Sequence, residues 1–144
     1  MRKNFSMLPI SDFDFYVQKL ELDSNNSRLF VVVSTADAGN QLYVIDLDSG
    51  ERRLVFGLED GRLIGDLIWD GKHEKLLVYE IGVNKVFEVN LDSGERTVVP
   101  GSDFSSLAEG GFWRKPYMGF DRNDNLILFF KNDSNAVVRF NFIT

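Results

Sequence analysis

Scattered acids, one aromatic-guanidinium pair and a single histidine are what this chain offers for chemistry. Trp113 stands beside Arg114 at the end of a long irregular stretch, 101–112, which contains Glu109 and closes on Gly110-Gly111. An indole next to a guanidinium presents a flat surface and a fork of donors, a pairing that stacks on a sugar or an aromatic ring. Long irregular loops of this kind often carry function. The more ordinary arrangement packs Trp113 into the core and pairs Arg114 with a carboxylate. Further acids stand at Glu59, Asp60, Asp66 and Asp103. His73 is the only histidine and there is no cysteine, which excludes a multi-histidine metal centre within one chain, thiolate zinc, disulfides and a thiol nucleophile. The segment 70–75 around His73 has turn composition, and His73 is expected to be an exposed turn residue. Asp46 to Gly50 and Asp121 to Asn125 place oxygen donors at alternate positions, as calcium loops do. The second segment has Leu126 where such a loop needs glycine and Asn132 where it needs a bidentate glutamate, so turns are expected instead. These residues supply no complete set of acid, base and nucleophile. No cofactor is expected, a divalent cation such as calcium being the alternative.

The elements that must position these residues follow from an internal repeat. Asn40 to Gly57 matches Asn84 to Gly101 at an offset of 44, with nine of eighteen positions identical, including the string Leu-Asp-Ser-Gly-Glu-Arg. Alternation in this stretch has a period of two: Leu42 and Val44 share one face, while Tyr43, Ile45 and Leu47 share the other. Asp48-Ser49-Gly50 then turns the chain into a second run, so each copy is a β-hairpin, with Gly50 and Gly94 expected at positive φ. Upstream, Asp23 to Val33 aligns with Asp70 to Glu80 at an offset of 47. The unbroken apolar runs Leu29 to Val33 and Leu76 to Tyr79 read as strands buried on both faces. A third copy follows in Tyr117 to Asp121, Leu126 to Phe130 and Val137 to Phe142, and it lacks a fourth strand. No stretch holds a helical period, so the chain is expected to be all-β. Periods of this length with strand alternation point to β-propeller blades.

Composition narrows the partners. At 44% apolar and 13% aromatic residues, 144 residues can bury a core as a single domain. The net charge of -6 and the scattered Lys and Arg give no footprint for a phosphate backbone, so nucleic acid is excluded as the expected partner. No apolar run is long enough to insert in a membrane as a helix. Met1-Arg2-Lys3 opens as a secretory signal can, but Asn4, Ser6, Pro9, Asp12 and Asp14 interrupt the apolar run that a signal needs. A cysteine-free composition is compatible with any compartment.

Asp66, Trp69-Asp70-Gly71-Lys72, Leu76 to Tyr79 and Val89 to Arg96 resemble the repeat of TolB-like propellers, and Phe120 to Leu126 is similar to NHL and gluconolactonase-like propellers. The resemblance implies blades of four antiparallel strands, about three in this chain, over approximately 13–57, 63–101 and 112–144. Propellers close with four to eight blades, so a homodimer closing a six-bladed ring is expected, with residues 1–10 placed to donate a closing strand. Ligands of such rings bind at the channel end, where the resemblance puts Asp66, Glu109, Trp113 and Arg114. The expected function is a non-catalytic binding module for a protein partner or a small carbohydrate-like ligand. The alternatives are a metal-dependent hydrolase or lactonase with a site completed across the dimer, and a piece of a larger propeller.

Overall fold

A computed structural model describes residues 16–34, 39–59, 62–105, 116–130 and 137–140. Their elements are all strands. β1 (Tyr16–Asp23), β2 (Arg28–Ser34), β3 (Gln41–Asp46) and β4 (Arg52–Gly57) form a first sheet in chain order. β5 (Leu63–Asp70), β6 (Lys75–Ile81), β7 (Lys85–Val89) and β8 (Arg96–Asp103) form a second in the same order. β9 (Pro116–Phe120), β10 (Leu126–Phe130) and β11 (Val137–Phe140) form a third, with no fourth strand among the described residues. All pairings are antiparallel, and each sheet is a meander of neighbours in sequence.

The repeated polar residues make the turns. In the first hairpin Asp46 Oδ1 accepts from the amides of Asp48 and Ser49 at 2.8 Å; in the second, Asn90 Oδ1 accepts from Asp92 and Ser93 at 3.0 Å. Ser49 and Ser93 accept from Glu51 and Glu95, both at 3.1 Å, and Gly50 and Gly94 both stand at φ 76° as expected. A second device repeats three times. Asp23 and Asp70 end their first strands and Asp121 directly follows one, and each accepts from the turn beyond it or the start of the next strand: Asn26 and Arg28, Lys72 and His73, Asn123 and Asn125. Ser27, Glu74 and Asp124 close these turns in the left-handed region. Oδ1 of Asp46 and Oδ1 of Asp121 are thus engaged by backbone donors in Asx-type turns. His73 departs from expectation. It is half-buried, with Nδ1 2.6 Å from Asp70 Oδ2, because the same carboxylate that holds the turn also reaches its ring.

Two apolar seams stack the sheets. Phe30, Val32, Leu42 and Val55 of the first sheet pack on Leu67, Leu76, Val78 and Val89 of the second. On the opposite face of the second sheet, Leu77, Tyr79, Ile81 and Val86 pack on Leu126 and Leu128 of the third. β6 is therefore buried on both faces, and on β2 the residues pointing away from the second sheet, Val31 and Val33, are buried in a cluster with Ile45 of their own sheet, as the unbroken apolar runs require. The first seam also encloses a charge. Glu80, 2% exposed, is held by Arg96, whose guanidinium lies 4.9 Å from the Phe56 ring and 5.4 Å from Phe87.

Candidate functional site

The first strands of the three sheets, β1, β5 and β9, lie in sequence side by side. Register shifts interrupt β1 between Val17 and Lys19 and β5 between Ile64 and Asp66, so Gln18 and Gly65 are the extra residues of matching bulges. Bulges redirect the side chains beside them. Here they aim Lys19 and Asp66 at each other, with Nζ 2.7 Å from Oδ1. By strand pairing, Lys19 opposes Val32, Asp66 opposes Tyr79 and Tyr117 opposes Phe129, which makes Lys19, Asp66 and Tyr117 equivalent positions of the three sheets.

Asp66 ties the three strands together. Its carboxylate, 3% exposed, accepts from the Leu67 amide at 2.8 Å and from the Met118 amide of β9 at 2.5 Å, besides pairing with Lys19 of β1. Three donors offset the desolvation of a charge that would otherwise be costly to bury. Glu21 of β1 makes a similar link, accepting from the Trp69 amide of β5 at 3.2 Å. Burial pushes the Glu21 carboxyl up despite that hydrogen bond. Both carboxylates satisfy N–H groups on the edge of a neighbouring first strand, where unpaired donors are a liability.

A cleft of about 240 Å3 opens here between Gln18 and Lys19, Gly65 and Asp66, and Pro116 and Tyr117. A Cβ on Gly65 would lie 3.0 Å from Ile81 Cγ1 and from Pro116 Cδ, so glycine permits the close approach of β5 and β9. The wall therefore combines an ammonium 40% exposed, its buried counter-ion and a tyrosine 59% exposed. Behind it, Tyr79 donates to Asn84 Oδ1 at 3.1 Å, and burial lifts its phenol to about 12, keeping it protonated.

Of the sequence-expected site residues, Asp66 stands in this cleft. Glu59 and Asp103 are exposed elsewhere, and Asp103 accepts from the Ser105 amide at 3.0 Å. Asp60, Glu109, Trp113 and Arg114 lie outside the described residues, as do residues 1–10. Gln18, Lys19 and Tyr117 were not singled out by sequence, although the spacing of the repeats puts Lys19 and Tyr117 in register with Asp66. Among the described residues no three of His, Asp and Glu gather as a metal cage. No protein-family model matches the chain, and no curated protein matches it either.

Proposed function

We propose that the three sheets are blades of a β-propeller and that the chain is a non-catalytic binding module whose ligand, small and carbohydrate-like, sits in the cleft between the first strands. The observation that carries this reading is the meeting of one first strand from each sheet at Asp66, beside an open cleft. First strands are where a propeller exposes its channel. The cleft is smaller than the roughly 300–1,000 Å3 of drug-sized sites, which suits a single small ring. Asp66 neutralises Lys19, so the exposed ammonium offers donors to hydroxyl groups without a net charge that would select an anion. Tyr117 supplies an exposed aromatic face of the kind sugars stack on.

The test is an NMR titration of the full chain with glucose, galactose and N-acetylglucosamine. Saturable shifts at Gln18, Lys19 and Tyr117, weakened about tenfold in Tyr117→Ala, are expected, tenfold being about 1.4 kcal/mol. Absence of shifts at these residues up to the solubility limit overturns the reading.

The ring is proposed to close by pairing two copies. Leu20 and Leu22, 51% and 55% exposed, oppose Val31 and Leu29 and so share the face of the first sheet turned away from the second. At the other end Tyr117 opposes Phe129 on the outer face of the third sheet. Light scattering on a sizing column should give twice the chain mass across a dilution series. A monomer at all concentrations removes the ring and leaves the cleft to be tested by the titration alone.

A further inference from the structure

The first and second sheets repeat each other closely, yet at one corner they differ in a way that opens a second cavity. In the second sheet Lys75 of β6 pairs with Glu88 of β7 at 3.2 Å. The equivalent residues of the first sheet are Arg28 and Val44, so the cation there has no acid in the position of Glu88. Arg28 is held from elsewhere. Its Nε lies 2.8 Å from Oδ2 of buried Asp23, and its guanidinium lies 4.9 Å from the Trp69 ring and 5.3 Å from Phe30. Among the described residues its terminal nitrogens have no hydrogen-bond partner. Arg53, directly opposite Val44 on β4, is exposed and also has none among them.

Around these residues lies a cavity of about 350 Å3, lined by Arg28, Arg53, Val44, Asn26, Asp46 and Glu51. It sits at the turn end of the first sheet, whereas Lys19 lies toward the opposite end of β1, so it is distinct from the first-strand cleft. A guanidinium fixed by stacking and by one tether presents its fork with little ordering left to do, which is the geometry that recognises a carboxylate. Two cations alone would favour any anion. Asp46 and Glu51 on the same wall oppose a second negative charge and suit an ammonium, while Val44 supplies an apolar patch.

We infer that this corner is a binding site for a small zwitterion of the amino-acid class, its carboxylate on Arg28 and Arg53, its ammonium toward Glu51 and Asp46, and an apolar side chain over Val44. The site stands whether or not the first-strand cleft binds a sugar.

The experiment is calorimetric or NMR titration of the intact chain with L-leucine, N-acetyl-leucine and leucinamide. Leucine is expected to bind, with both blocked forms weaker by about tenfold or more, since each loses a charge-assisted contact. Arg53→Gln, on an exposed side chain that leaves the fold unchanged, should weaken leucine by a similar factor and not alter leucinamide. Glu51→Gln should weaken leucine and leucinamide and leave N-acetyl-leucine, which has no ammonium, unchanged. No leucine binding at millimolar concentration, equal binding of all three compounds, or shifts that avoid Asn26, Arg28 and Arg53 would each overturn the inference.

Discussion

The hairpin turns of β3–β4 and β7–β8 are the same structure built twice, while the first strands β1 and β5 share a bulge and differ in what it presents. In the hairpins, Asp46 and Asn90, Ser49 and Ser93, and Gly50 and Gly94 make matching contacts at matching distances. At the bulges the backbone irregularity repeats, but Lys19 stands in one sheet and Asp66 in the next. Identity is kept where a turn needs it. Difference appears where neighbouring sheets must recognise each other, since two equal charges at 2.7 Å would repel and two unequal ones lock the order of the sheets.

The largest test of that contrast is at Asp66. Asp66→Ala leaves the Leu67 and Met118 amides without their acceptor and the Lys19 ammonium without its partner, and is expected to cost about 4 kcal/mol in chemical denaturation, about 1–3 for each donor left unsatisfied. Lys19→Ala should cost about 1 kcal/mol, because that head group is 40% exposed and solvent already shares its charge. Equal losses would mean that Asp66 does not fasten β1, β5 and β9.

Gly94 comes next. Its φ of 76° already disfavours a side chain, and a Cβ there would sit 2.1 Å from the Val55 carbonyl oxygen of β4. Gly94→Ala is therefore expected to lose about 3 kcal/mol, roughly 1 from the backbone and the rest from forcing the hairpin off the first sheet. A loss near 1 kcal/mol would show that the hairpin can lift away freely.

Two carboxyls near the first-strand ends should respond to acid in opposite senses. Burial pushes the Asp23 carboxyl up, but hydrogen bonds from Asn26 and Arg28 outweigh it and hold the group below its ordinary 3.8. Its contribution is present above that value and is lost as pH falls through the lower folded one. Asp23→Asn is expected to cost about 2 kcal/mol at neutral pH, with the gap to wild type closing in strong acid. Glu21 is held above its ordinary 4.5 by burial, so its folded form favours the proton and loses stability as pH rises through that raised value. Glu21→Gln should remove that loss and flatten the stability profile above pH 4.5. Urea midpoints measured across pH 2.5 to 7, a range of about four to five units around those values, would separate the two.

Much of the fold was legible in the sequence because its causes are local. Turn chemistry at Asp48-Ser49-Gly50, the positive φ at Gly50 and Gly94, and the doubly buried runs of β2 and β6 each follow from a few adjacent residues. The site was legible only in part. Asp66 was picked out as an acid, but its role depends on Lys19 and on an amide 52 residues later, and the bulges that aim it leave no mark on the alternation. Glu80 interrupts an apolar strand and would have read as a defect. The stacked Arg96, brought over Phe56 and Phe87 by packing of two sheets, and Arg62, 3.6 Å from its other oxygen, make it tolerable.

The smallest expected effect separates turn from site most cleanly. Because Asn90 already does in the second hairpin what Asp46 does in the first, Asp46→Asn should change stability by no more than about 0.5 kcal/mol, as should the reciprocal Asn90→Asp. The two swaps should then differ in binding. Only Asp46 lines the arginine corner, so Asp46→Asn should weaken leucine there while Asn90→Asp leaves it unchanged. If Asp46→Asn instead costs stability like the loss of a cap, about 1 kcal/mol or more, its charge serves the hairpin itself, and the likeness of the two turns stops at geometry.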